Sequence, residues 1–333
     1  MSVIIPLYNG AAFVEQAVMS ILRQTLADFE CLIVDDGSTD GGYELCERHF
    51  ADESRVQLFR NAKNSGPGYS RNYGLRMVRG KYVAFLDADD VMLPAALETL
   101  VRIAEDFRAD VVSCNAFLWS QGEEIPEDFS GQNLSEKDPD CVQAPALLSL
   151  DRASRIDAWC RRLVHGNVWN KLYLRSFLQE ADIRFPEEWP NIEDDPFSLA
   201  CLLRAERYVR TPYQLQIYRN RRESVSRYSA TEEHMAKDLE KSIRVARELV
   251  RVLRGGTYRE ETMAVDAKLD IVEANVLRRY YQHGFSLQAH EAAGRVFQRY
   301  FGDDAPFVAY YFHRYHLLLH RLVSLERASG KKE

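Results

Sequence analysis

Three carboxylates occupy four positions at Asp87-Ala88-Asp89-Asp90. They follow the apolar segment Lys81 to Leu86, so they stand where a buried strand emerges into a site. Like charges this close repel unless a cation lies among them, and an oxygen-only set suits Mg²⁺ or Mn²⁺. A second acidic group, Glu193-Asp194-Asp195, precedes the apolar run Pro196 to Leu203. A carboxylate there, ionised at neutral pH, is suited to take a proton from a hydroxyl. The plainer reading is a charged helix start, and the two are compatible, because a helix N-terminus favours acids and is well placed to face a site. A third acidic stretch, Asp35-Asp36-Gly37-Ser38-Thr39-Asp40, has turn-forming composition and opens a helix, with Asp40 read as a cap.

The elements that must carry these groups alternate. The stretch from Ser2 to Gly10 opens the protein as a strand that runs into a Pro/Asn/Gly turn. A helix pattern from Ala12 to about Gln24 places Phe13, Ala17, Ile21 and Leu22 on one face. Phe29 to Val34 is a second strand, Gly42 to about Phe50 a second helix, Val56 to Phe59 a third strand and Gly66 to Val78 a third helix. This β-α-β-α-β-α-β order implies a parallel sheet covered by helices. Ligands of such sheets bind at the carboxyl ends of the strands, where the acidic loops lie.

The blocks Val3 to Asn9, Val34 to Asp40, Asn64-Ser65-Gly66 with Ser70-Arg71-Asn72-Tyr73-Gly74, Gly80 to Asp90, Trp169 to Tyr173 and Glu193 to Phe197 occur in this order. Together they resemble the family 2 glycosyltransferases of the GT-A fold. That resemblance implies an α/β fold, a Rossmann-like mixed sheet flanked by helices, followed here by a C-terminal α-helical extension. It also implies an inverting enzyme that moves a sugar from a nucleotide diphosphate, a UDP-sugar above all, to a hydroxyl of a glycan, lipid-linked or protein-linked acceptor. Asp89 is then the direct ligand of Mn²⁺ or Mg²⁺, with Asp87 near the ribose or the metal's water shell, and Ala88 lies between them against the donor. Asp90 is read as a cap for the next segment. Pro6, Tyr8 and Asn9 would bind the nucleotide, Asp36 would accept a base N–H, and Arg71 would place a positive charge near the diphosphate. Asp194 aligns as the general base and Phe197 as a packing residue, while Glu193 and the additional Asp195 leave open which carboxylate points inward. Trp169, Asn170 and Lys171 fit support of acceptor or donor and a structural corner equally. Arg219, Arg221 and Arg222 suit either phosphate or a basic surface loop.

The blocks divide the chain into a catalytic domain, 1–228, with a nucleotide-sugar half at 1–115 and an acceptor half at 116–228, and a helical region at 229–333. The polar, acidic stretch from Ser120 to Ala144 is read as a flap over the acceptor. Beyond Thr231 the pattern is helical. The final helix, within 305–333, pairs aromatic and leucine positions with a basic balance, which suits packing against its neighbours or a second subunit first and peripheral contact with an anionic membrane second. His313, His316 and His320 lie near one face of that helix, but they lack the His-Glu-x-x-His pattern, so interface or core histidines are the preferred reading over zinc.

A formal net charge of −7 over 333 residues argues against a nucleic-acid partner. The six scattered cysteines form no CxxC and fit a reducing compartment. No signal-peptide pattern and no apolar run of about 20 residues is seen, so a cytoplasmic enzyme is expected, with a peripheral place at the inner membrane face as the second reading. A processive synthase is disfavoured because the Gln-x-x-Arg-Trp motif is missing. A sugar-phosphate nucleotidyltransferase is disfavoured because its Gly-rich opening is replaced by Pro6-Leu7-Tyr8-Asn9. The rival of another class is a non-catalytic nucleotide-sugar-binding or scaffold protein, and it is weakened by the presence of Asp87, Asp89 and Asp194.

Overall fold

The structure is a computed structural model. It describes residues 1–119, 144–148, 163–187 and 193–219, with Ile125, Asp151, Ser154, Arg155, Ala158 and Trp159. The chain divides into two units, Met1–Val225 and Ser226–Glu333. All described residues belong to the first. The flap at 120–144 apart from Ile125 and Ala144, Arg221 and Arg222, the helices after Thr231, the final helix within 305–333 and the three histidines lie outside the described residues.

The first unit opens with the expected alternation: β1 (Ser2–Leu7), α1 (Val14–Leu22), β2 (Glu30–Asp35), α2 (Gly42–Phe50), β3 (Val56–Arg60), α3 (Pro67–Met77) and β4 (Tyr82–Phe85). These strands lie in the order β3-β2-β1-β4 and are all parallel. The reason is visible in the residues. Val3, Ile4 and Ile5 are wholly buried, as are Cys31 to Val34 and Val83 to Phe85, so both faces of each strand need helical cover. Val14, Ala17, Val18 and Ile21 of α1 and Cys46 and Phe50 of α2 supply part of it.

The sheet does not continue as parallel. Beyond β4 come β5 (Val91–Met92), α4 (Ala96–Phe107), β6 (Val111–Trp119), β7 (Ala146–Leu147), β8 (Lys171–Leu174), α5 (Arg175–Glu180), α6 (Asp194–Arg204) and β9 (Tyr208–Arg219). Strand β8 inserts antiparallel between β4 and β6, β9 runs parallel to β6, and β5 and β7 pair antiparallel with β9. The result is a mixed sheet, as the GT-A resemblance implies, in place of the all-parallel sheet suggested by the alternation alone. Local periodicity carries no signal for β8, because its partners Tyr82–Ala84 and Val111–Ser113 lie far from it in sequence. Strands β1, β2, β4, β6 and β9 consequently point the same way, and their carboxyl ends form one edge.

Candidate active site

At that edge the first loops are held by their own side chains. Asn9 adopts the left-handed conformation, φ 49°, and its Oδ1 accepts from Thr39 N at 2.9 Å, while Ser38 Oγ accepts from Asn9 N at 3.0 Å. The post-β1 and post-β2 loops are thereby tied together. Tyr8 is half exposed beside this tie and Pro6 still pairs within the sheet, opposite Val34. Asp40 accepts from Ala11 N at 2.8 Å and Gly42 N at 3.0 Å; the N-cap position of α2 is Gly41, so Asp40 ties the loop after β1 to the helix start instead of standing as its cap.

Asp36 is buried and richly satisfied. Oδ1 accepts from Asn61 Nδ2 at 2.8 Å, and Oδ2 from Ser65 N at 3.0 Å and Gly66 N at 2.7 Å. In the structure it braces the loop entering α3. Asn61, which gave no sequence signal beyond its position after β3, bridges Asp36 to Ser70 Oγ.

After β4 the acidic turn is divided by environment. Asp87 keeps a partly exposed side chain, whereas Asp90 is buried. Ala88 is partly buried against the core and also faces Gly10. Burial pushes the Asp90 carboxyl well above the ordinary carboxylate range, the charges of Asp89 and Asp87 push it further, and the Arg219 N–H opposes them. Asp90 Oδ1 accepts from Arg219 N at 2.9 Å and the Asp89 carbonyl accepts from Arg219 Nε at 2.9 Å. Asp90 and Arg219 therefore join the acidic turn to the end of β9. Asp90 reaches across the sheet instead of capping the segment that follows it.

Arg71 brings distant segments to this turn. Nη2 donates to Asp87 Oδ1 at 2.8 Å, and Nη1 donates to Glu193 Oε1 at 2.6 Å and Asp194 Oδ1 at 3.0 Å. Glu193 is buried, while the Asp194 side chain stays about one-third open, at 30 %. Burial raises the Asp194 pKa, Arg71 opposes, and Glu193, Asp87 and Asp195 reinforce the rise, leaving it at about 7. Such a carboxylate is poised to accept a proton near neutrality. Asp194 and Asp195 form the first turn of α6, so the dipole reading also applies. Asp195 lies against Gly166, in space that a Cβ there would fill. Below the cluster Phe197 stacks on Phe185, with ring centroids 3.9 Å apart, and both meet Phe85.

Trp169, Asn170 and Lys171 form a corner beside α6. Asn170 exchanges backbone and side-chain hydrogen bonds with Cys114, and Trp169 stacks on Tyr218 at 5.5 Å. Lys171 is buried and donates to the carbonyls of His165 and Asn167 and to Asn170 Oδ1. Burial lowers its pKa to about 8.

A divalent cation, if held here, would take its protein ligands from the acidic turn. Asp87 and Asp89 offer oxygen donors at a partly open edge, and Mg²⁺ or Mn²⁺ asks for one or two protein carboxylates, the rest being phosphate and water. Among the described residues no group of three or more His, Cys, Asp or Glu side chains is placed to hold a metal ion.

The family model described as "Glycosyl transferase family 2" matches residues 2–145. "Uncharacterized glycosyltransferase EpsJ" of Bacillus subtilis (strain 168) is 30% identical over 252 residues, covering 73% of this chain and 68% of that protein. "GalNAc(5)-diNAcBac-PP-undecaprenol beta-1,3-glucosyltransferase" of Campylobacter jejuni is 30% identical over 172 residues, 51% of this chain and 55% of that enzyme. The crystal structure of S. aureus TarS in complex with UDP-GlcNAc superposes with a TM-score of 0.64 at 21% identity, covering 100% of this chain and 93% of that one. At that identity the likeness concerns the fold.

Proposed function

The chain belongs to glycosyl transferase family 2 and is a glycosyltransferase, and on that premise we propose that it moves a sugar from a UDP-sugar to a hydroxyl with inversion. The observation that supports this best is the convergence of Asp87 and Asp194 on one arginine, by which the acidic turn and the start of α6 meet at the same edge.

In this reading Pro6, Tyr8, Asn9 and the Asp36-braced loop receive the nucleotide, and Ala88 and Asp87 border the sugar and ribose. Asp89, with Asp87, holds Mn²⁺ or Mg²⁺, which when bound neutralises charge growing on the departing diphosphate. Asp194 accepts the proton of the acceptor hydroxyl while that oxygen attacks the anomeric carbon. The bond from that carbon to the diphosphate oxygen breaks on the opposite side, so UDP departs with the electron pair and the configuration inverts. Lys171, Asn170 and Trp169 support the acceptor side by fixing the corner next to α6. The acceptor class follows the Campylobacter relative, whose name specifies an undecaprenol-linked glycan. A lipid-linked or other glycan hydroxyl is therefore the reading carried forward, at the cytoplasmic face.

A thermal-shift panel of nucleotide sugars with and without Mn²⁺ tests the donor site. The expected result is stabilisation by UDP-sugars that requires metal and is lost in Asp89→Ala. A shift that survives Asp89→Ala, or none with any nucleotide sugar, would remove the assignment.

A further inference from the structure

The side chain of Arg71 is only 4% exposed, yet it meets carboxylates from two other parts of the chain: Asp87 after β4, and Glu193 with Asp194 at the start of α6. Its guanidinium lies over the Phe185 ring, 5.5 Å from the centroid. Phe185 is fixed in turn, because Asn72, the next residue of α3, donates to its carbonyl at 2.9 Å and accepts from its N–H at 3.0 Å. The Phe185 ring is also stacked on Phe197 of α6. The arginine plane thus has little freedom to turn.

The approach of α3 to residue 193 is equally tight. A Cβ on Gly68 would lie 3.2 Å from both Cβ and Cγ of Glu193 and 3.1 Å from the Pro186 carbonyl oxygen. Arg71 Nε and Glu193 Oε2 are buried without hydrogen-bond partners among the described residues. A buried pair kept only for stability gains nothing from two such atoms, since apolar packing of the same volume serves as well or better. A diphosphate approaching Arg71 would also meet three carboxylates already bound to it, and like charges repel.

We infer that Arg71 is a positioning residue for glycosyl transfer: anchored on Glu193 and Asp87, it holds the base Asp194 in place, and its charge is used on these carboxylates instead of on the donor diphosphate. This rests on the reading of Asp194 as the base. It adds to that reading how the base is placed, and it removes Arg71 from the set of donor contacts.

The test is a double-mutant cycle in the full chain with Arg71→Lys, Asp194→Asn and both. The readouts are UDP release from UDP-glucose and UDP-GlcNAc, with water as the acceptor, and affinity for UDP with Mn²⁺. Arg71→Lys is expected to lower kcat about 100-fold, because a base displaced by an ångström loses that much, while UDP affinity changes less than about threefold. In the Asp194→Asn background the same substitution should alter the residual rate less than about threefold, since the two residues act as one unit. Losses that multiply, or a tenfold loss of UDP affinity in Arg71→Lys, would overturn the inference alone. Full turnover in Asp194→Asn would overturn the base assignment and the inference with it. If Arg71→Lys does not fold, Gly68→Ala carries the test by pressing on Glu193 from outside the site. About a tenfold drop in kcat with unchanged UDP affinity is then expected, and unchanged kcat refutes positioning through Glu193.

Discussion

Glu30 and Asp194 are carboxylates serving opposite edges of one sheet, and their surroundings move them in opposite directions. Glu30 lies at the amino edge, at the start of β2. Burial alone would raise its pKa, but Ser2 Oγ and Arg79 N donate to Oε1 at 2.6 Å, and Arg79 Nε and Gln57 Nε2 donate to Oε2 at 3.0 Å. Together these hold Glu30 down at about 2. Asp194 shares one arginine with two other carboxylates and rises to about 7. The amino edge spends its donors on fixing a charge. The carboxyl edge rations them, leaving a group that exchanges its proton near neutrality. Burial acts on both, and the number of donors per carboxylate decides the outcome.

The largest expected effect breaks the carboxyl edge. Asp194→Asn should lower transfer roughly 10³-fold while leaving metal-dependent UDP binding within a few fold, because the base is needed only as the hydroxyl reacts. Wild-type turnover in that variant would erase the contrast.

The amino edge breaks in a different currency. Glu30→Ala leaves Ser2 Oγ, Gln57 and the Arg79 N–H without their shared acceptor, and it should cost about 2 kcal/mol of stability by denaturant titration. The kcat of the folded fraction should be unchanged. A loss of kcat with unaltered stability would reverse the roles given to the two edges.

The smallest effect separates the edges by pH. Asp194 must be deprotonated to accept a proton, so the rate should be full above about pH 8 and fall roughly tenfold per unit below its pKa. Glu30 has a depressed folded pKa. Its contribution to stability is therefore present above the unfolded value of about 4.3 and is lost as pH falls through about 2. Between pH 8 and 6, activity should drop while chemical denaturation finds little loss assignable to Glu30. A rate that is flat from pH 8 to 6 would deny Asp194 its raised pKa.

The donor half was largely legible. Apolar runs such as Val3-Ile4-Ile5 and Cys31 to Val34, separated by helix patterns and turn residues, fix β1 to β4 and the loops between them. β1, β2 and β4 are buried on both faces, so sequence and environment agree there, while β3 at the sheet edge is only partly buried. The acids at Asp87 to Asp90 and Glu193 to Asp195 were also visible, because clustered charge after or before an apolar run is a local signal. The elements after Asp90 were less so. Four-residue β8 and two-residue β5 exist only through distant partners, and α4, although amphipathic, lies outside every one of the sequence blocks.

By itself, then, the sequence determined the alternation of the first half, the identity of the acidic residues and the family to which they belong, because each of these is written in neighbouring positions. Only the tertiary structure decided what those residues touch. It turned Asp90 inward to Arg219, closed Asp36 onto the loop entering α3 and enclosed Arg71 in carboxylates brought from 16, 122 and 123 positions away. The physical reason is that a side chain's charge and hydrogen-bonding capacity are intrinsic to the residue. Whether they are spent on the protein or kept for a substrate depends on burial and on donors that arrive from elsewhere in the chain.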